Sequence, residues 1–537
     1  MSCDVIIVNL TRLGDLLQCQ PLIQDLHDSG KSVGLVCLEN FAQALPLLAH
    51  LDGAWMLPGA RLMAETDRDW RTAAAHVLRF ARGVREEAAP KHVICLTASL
   101  SARLLAKMLA PAPDAVSGFA VDGEGYGSER GLWPAFLLGT TLSRKSAVFN
   151  IVDMVRRSGG HLVSDEIRRR DGLFRLVRPS RKASCAAARR LREAARSDMP
   201  PARGYVAFQL GASNDRRRWP VAHFAALGDM LWNKAGLCPV LTGSAAEKPL
   251  GEKYASLAKH PHVSVQGRTD LPTLAALLLE TRMLVTNDTG TMHLAAGLGI
   301  PCAAFFLATA QPWDTGPYLD DCLCLEPAMP CHPCEFGASC PRANACRGVI
   351  SAEGVGRAVL TRLSGMSWKS GVGDALKREA RVWTSRRENG LAGLESLSGP
   401  EDDDRALWML HQRLFWRQIL DGDACPTSSR RIPPCSGQFR DTILPPLEQA
   451  WRMLIAIGEN AAIVGKNPLA GSLFLRNCDR LQTLLHTTPA LAGMSHLWRH
   501  ACTEMGGELA ALQAFIARFE KNLSVFIENI KNGTHCA

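Results

Sequence analysis

Asn287-Asp288-Thr289-Gly290-Thr291-Met292-His293, followed by an apolar run that ends at Gly299-Ile300-Pro301, decides how this chain is read. Arg282 to Thr286 reads as a strand; an acidic turn follows, and a helix of small residues opens at once. That order puts unsatisfied N–H groups and the positive end of a helix dipole beside a carboxylate, two hydroxyls and an imidazole. Such a helix start suits phosphate or pyrophosphate, and a nucleotide-sugar diphosphate is the ligand this chemistry invites.

Outward from this stretch, two series of short, nearly all-apolar runs alternate with helical periodicity. The first comprises Asp4–Leu10, Ser32–Leu38, Ala54–Leu57, His92–Leu96 and Ala115–Phe119. The second comprises Tyr205–Leu210, Cys238–Thr242, Val263–Gln266, Met283–Thr286, Cys302–Leu307 and Cys322–Leu325. Continuous apolar strands separated by helices predict parallel sheets covered on both faces. The fold class is therefore α/β, two doubly wound Rossmann-like domains facing across a cleft, followed by an all-α appendage. The expected division is an N-terminal acceptor domain over 1–170, a basic interdomain linker over 171–203 and a donor-binding domain over 204–365. A polar linker over 366–404 and a helical appendage over 405–537 complete it. Ligands of such sheets sit at the carboxyl ends of the strands, where the Asp288 turn falls.

Bulk composition narrows the function classes. The 537 residues are 47% hydrophobic and 21% charged, as in ordinary globular proteins. Sixty-one Lys and Arg against 52 Asp and Glu give +9, too dilute over this length to imply nucleic acid. The excess concentrates in Glu166 to Ser197, with eleven Arg or Lys and three acids. The short Val5–Leu10 run is no secretory signal, and Gly297, Gly299 and Pro301 break the uncharged stretch after Thr289 before it could span a bilayer. The expected compartment is the cytoplasm, with room for peripheral contact at the inner face of the inner membrane. Most of the 18 cysteines then read as reduced core residues.

Two more loops follow strands. Thr11-Arg12-Leu13-Gly14-Asp15 leaves the first strand of the chain; Asp15 there either complements a helix start or accepts a proton from a hydroxyl in the cleft. Gln209 to Pro220 leaves the first strand of the second domain and carries Ser213 with Arg216, Arg217 and Arg218; guanidinium forks bind phosphate bidentately. A third feature is Cys331, Cys334, Cys340 and Cys346, four thiols within sixteen residues. They can reach one tetrahedral ion, zinc by default or iron, in a structural site, because four thiolates leave no open position; loose reduced thiols or disulfides are the alternatives.

With these residues in view, the chain resembles the bacterial heptosyltransferases of glycosyltransferase family 9. The resemblance rests on Gly14-Asp15, Arg217-Arg218-Trp219-Pro220 and Asp288-Thr289-Gly290-Thr291-Met292-His293, and it covers roughly residues 1–365. It implies a GT-B fold and a metal-independent inverting transfer of heptose, or a related sugar, from an ADP-sugar to a lipopolysaccharide core or similar glycan. It implies Asp15 as general base, Ser213 and Arg217 near the phosphates, and Thr289 and Gly290 as donors to the pyrophosphate. Asp288 and His293 complete that motif, and Thr242-Gly243-Ser244 with Glu247 would lie near the nucleoside. Part of the family carries four-cysteine loops, an iron-binding one among its autotransporter-modifying members. Many relatives have Lys where Arg217 stands, and some have a hydroxyl residue in place of Ala212. Catalysis would need no cofactor. Two other readings stay open: transfer to a protein such as an autotransporter, or a catalytically silent scaffold that binds partners or oligomerises through its helical C-terminus.

Overall fold

The computed structural model describes every residue except 1, 143, 173, 195–201, 389, 399–403, 423–430, 465–467 and 535–537. The chain forms two compact units: 1–127 with 150–398, and 128–149 with 399–537. In the first unit, five parallel strands make one sheet: β1 (Val5–Asn9), β2 (Val33–Leu38), β3 (Gly53–Leu57), β4 (His92–Cys95) and β5 (Val116–Val121). Their order is β3-β2-β1-β4-β5, with Val5 opposite both Val33 and His92. All five residues of β1 are buried, as a continuous apolar run demands of a central strand.

The second sheet of this unit starts with β6 (Gly204–Gln209), β7 (Leu237–Thr242), β8 (Val263–Ser264), β9 (Leu284–Asn287), β10 (Cys302–Phe305) and β11 (Leu323–Pro327). Their order, β8-β7-β6-β9-β10-β11, is again that of a doubly wound fold. Its core is aromatic: Trp219 stacks on Phe305 with ring centroids 4.1 Å apart, and Phe208 and Phe224 close around them. In both sheets the strand order reverses beside the first strand. The loops after β1, β6 and β9 therefore leave at the crevice where such folds bind ligands.

Three expectations give way. Segment 366–404 is no linker: β12 (Ala380–Glu388) and β13 (Leu391–Ser396) form an antiparallel hairpin that extends the second sheet beyond β11. The buried carboxylate of Glu326 on β11 explains the docking, since Arg381 of β12 donates to it at 2.8 Å and a buried charge needs a partner. The basic stretch 171–203 is not a free connection either. Its helix Arg181–Ala194 buries Ala187 and Leu191 against Val240, Val263 and Leu277. Finally, 128–149 leaves the N-terminal domain and joins the helical unit.

That second unit contains the helices Leu132–Leu142, Asp404–Leu420, Gly437–Ala461, Pro468–Thr487, Ala492–Glu504 and Leu509–Asn532. Aromatic rings hold it: Phe136 meets Trp416 at 4.9 Å, and Phe415 meets Phe526 at 4.8 Å. The Trp133 indole donates to Asp421 at 2.9 Å, tying the early helix to the late ones. No described helix is long and apolar enough to cross a membrane.

Candidate functional site

The Gly14–Asp15 loop meets the start of the helix Gly290–Leu298 directly. A Cβ on Gly14 would stand 3.0 Å from His293 Cδ2 and 3.4 Å from Gly290 Cα. Any side chain at this position would crowd the His293 ring, because the two loops approach to backbone contact. Asp15 is half-buried, and its Oδ2 accepts from the Arg12 amide at 3.4 Å. Burial raises its pKa; Arg12 opposes this and the charge of Asp288 adds to it. The two carboxylates of the sequence motifs thus feel one another across one crevice. A raised pKa brings a carboxylate closer to the strength a general base needs.

Asp288 is buried and held from two sides. Arg217 Nη2 donates to its Oδ2, as does the Thr315 hydroxyl at 3.2 Å. The other arm of the Arg217 fork donates to Ser213 Oγ at 3.4 Å, so the exposed Ser213 and Asp288 share one guanidinium. No side chain caps the helix that begins at Gly290, and Thr289 at its N-cap makes no such bond. The first-turn amides therefore face the crevice as anion donors beside a fixed cation.

His293 is buried, and its Nδ1 has no hydrogen-bond partner. Burial lowers its pKa to about 4, with Asp288 pulling up and Arg217 pushing down. The imidazole is thus neutral at physiological pH and wedged against Gly14. Gly297, one helical turn on, admits the chain that crosses between the sheets. Leu176 N donates to its carbonyl at 2.9 Å, and a Cβ there would lie 2.5 Å from Leu176 Cγ.

A second cluster lies beside it. Glu247 accepts from Gln209 Nε2 at 3.0 Å through one oxygen, and from the Ser244 amide at 2.7 Å and hydroxyl at 3.0 Å through the other. The Thr242 hydroxyl is turned inward, donating to Phe208 O at 3.2 Å and Gln209 Oε1 at 3.1 Å. Thr242 therefore positions Gln209 instead of presenting its hydroxyl to a ligand. Gly243 sits between them with a φ of +147°, and a Cβ there would lie 2.7 Å from Glu247 Oε2.

Three contributors had no role in the sequence reading. Thr315 completes the hold on Asp288. Gln209 links Thr291, Thr242 and Glu247. Asn287 ties the loops together, donating to Leu210 O at 2.9 Å and Gly211 O at 3.1 Å while accepting from the Trp219 amide at 2.8 Å. Polar residues at the ends of otherwise apolar strands, Gln209 and Asn287 among them, were the available signal.

The four cysteines form a loop anchored to the same arginine run. Arg216 donates to Asn344 Oδ1 at 3.0 Å and to Ala338 O at 2.7 Å. The Asn344 amide donates to Cys340 Sγ at 3.3 Å. Burial raises the Cys346 thiol, and Cys334, Cys340 and Cys331 all add to it. The donor set suits zinc or iron. The loop gathers the thiols without closing them, for no three of their sulfurs lie within 4.8 Å of one another.

Known proteins resemble part of this chain. The family model described as glycosyltransferase family 9 (heptosyltransferase) matches residues 143–343. This part of the chain resembles glycosyltransferase family 9. Lipooligosaccharide heptosyltransferase 2 of Haemophilus influenzae is 33% identical over 123 residues, 22% of this chain and 35% of the relative. Lipopolysaccharide heptosyltransferase 1 of Pseudomonas aeruginosa is 31% identical over 138 residues, 26% of this chain and 38% of the relative. The chain thus spans little more than a third of the curated relatives it matches. A family 9 glycosyltransferase crystal structure from Veillonella parvula superposes with a TM-score of 0.52 at 20% identity, covering 67% of this chain and 97% of that one. It carries the GT-B fold, which the two doubly wound sheets here share.

Proposed function

We propose that the chain is an inverting glycosyltransferase moving heptose from an ADP-sugar to a lipopolysaccharide core or similar glycan in the cytoplasm. The observation that carries this reading is the contact of the Gly14–Asp15 loop with the uncapped helix start behind Asp288. A base and an anion cradle then face each other over one crevice.

In this mechanism the diphosphate of the donor lies at the Gly290 helix start. The Arg217 fork, aimed by Asp288 and Ser213, neutralises it. Asp15 removes the proton from an acceptor hydroxyl. The oxygen attacks the anomeric carbon from the face opposite the diphosphate, a new C–O bond forms, and the old one breaks with its electron pair leaving on the β-phosphate. One displacement inverts the centre. Charge growing on the leaving group meets donors fixed beforehand, and removing one such donor typically costs ~10²–10³ in rate. In this reading Glu247, held by Gln209 and Ser244, would contact the nucleoside. The Cys331–Cys346 loop would hold a structural zinc or iron, apart from the chemistry.

The test is a panel of nucleotide sugars offered to the full chain with heptose-free core acceptor, with nucleotide release and product mass both recorded. ADP-heptose alone should give ADP and an acceptor heavier by one heptose. Turnover of a UDP- or GDP-sugar in its place would overturn the donor assignment. Product formed only on a protein acceptor would redirect the acceptor assignment.

A further inference from the structure

In the helical unit, three metal-ligating side chains converge. His500 and Glu504 stand four residues apart near the end of the helix Ala492–Glu504, a spacing that places both on one face. Glu129, in the short strand Gly127–Arg130, meets them there. One ligand atom from each of the three lies within 4.8 Å of the other two, the only such trio of His, Cys, Asp or Glu among the described residues.

The imidazole supplies the independent observation. The His500 side chain is only 7% exposed, and its Nδ1 has no hydrogen-bond partner. That nitrogen points at Glu129 Oε2 from 3.6 Å, too far for a hydrogen bond. A buried ring nitrogen left unsatisfied costs free energy, and an ion bound there would satisfy it. Beyond the trio, the Ser128 hydroxyl donates to Glu504 Oε2 at 2.9 Å and fixes that carboxylate, as outer partners of metal ligands do.

We propose that Glu129, His500 and Glu504 form a site for a divalent first-row transition ion. One imidazole and two carboxylates suit zinc, cobalt or manganese and differ from the four thiolates of the cysteine loop in the absorption they give a bound ion. Three protein ligands leave positions for water. The ion would tie the segment 128–149 to the late helices of its unit, holding together parts of one core that residues 150–398 separate in sequence. Binding to the folded state alone raises its stability with metal concentration.

Cobalt(II) distinguishes the two metal classes on the intact chain, because thiolate ligation adds charge-transfer absorption that nitrogen and oxygen ligation lacks. Metal-free protein is titrated with Co²⁺, and thermal unfolding is followed with and without it. The variants are His500→Asn, which removes the buried ligand, and Glu504→Gln, an exposed change that leaves an oxygen for Ser128. The wild type should take up one equivalent with no thiolate absorption and unfold at a higher temperature with cobalt. His500→Asn should lose that equivalent, and Glu504→Gln should bind it at least tenfold more weakly while unfolding as the wild type does without metal. Equal non-thiolate uptake by wild type and both variants, or cobalt found only in the thiolate band, would overturn the proposal. Should His500→Asn fail to fold, Glu504→Gln decides alone.

Discussion

Acidification from pH 7 to pH 5 should weaken the α/β unit through His293. The folded protein keeps this ring neutral because burial lowers its pKa from 6.5 to about 4, against the pull of Asp288. The unfolded chain protonates it near 6.5, so between those values the unfolded state binds more protons. The contribution is fully present above pH 6.5 and is lost as pH falls toward 4. Over the interval from pH 7 to pH 5 the loss is about 2 kcal/mol. His92 is also lowered to about 4, so the wild-type slope alone is not diagnostic. The decisive quantity is the difference between wild type and His293→Asn, which cannot titrate. Denaturant-dependent hydrogen exchange in peptides spanning 284–305 reports the opening of this unit at both pH values. Wild type should lose about 2 kcal/mol more than the variant on acidification. Equal losses would refute the reasoning.

Two substitutions probe neighbouring parts of the same structure. Gly297→Val would push its side chain into Leu176 and Phe174, where a Cβ already stands 2.5 Å from Leu176 Cγ. It should cost about 1–3 kcal/mol, read as a lower unfolding temperature of the α/β unit, and an unchanged temperature would contradict the packing. Arg217→Lys replaces the fork shared by Asp288 and Ser213 with a point charge. The donor KM should rise about tenfold, equivalent to about 1.4 kcal/mol, with stability nearly unchanged; an unaltered KM would remove Arg217 from the diphosphate cradle.

The strands that build the crevice were legible because both sheets bury them on both faces, leaving apolar runs such as Val5–Asn9 with no alternation to confuse. The loops that follow were legible for the same reason: Asp15 and Asp288 stand out where an apolar strand stops. The hairpin at Ala380–Glu388 and Leu391–Ser396 was missed, although Asn389-Gly390 between two strand-forming runs is a turn signature. Its first strand ends in Arg386, Arg387 and Glu388, and this run of charge gave the stretch the look of a linker. The helix Arg181–Ala194 hid in a similar way, since only a narrow stripe through Ala187 and Leu191 is buried beneath a basic surface. Segment 128–149 joins distant helices through Trp133 and Phe136, a long-range pairing that no local pattern encodes. The second hold on Asp288, from Thr315, likewise exists only after folding.

The most direct test of the central claim is ADP release by Asp15→Asn under saturating ADP-heptose and acceptor. Asp15 is desolvated and pressed by Asp288, with one long contact to the Arg12 amide, so neutralising it should leave the unfolding temperature equal or slightly higher. The base would be gone, and kcat should fall by ~10²–10⁴ while the donor still binds. A variant that folds, binds donor and turns over at the wild-type rate would contradict the account.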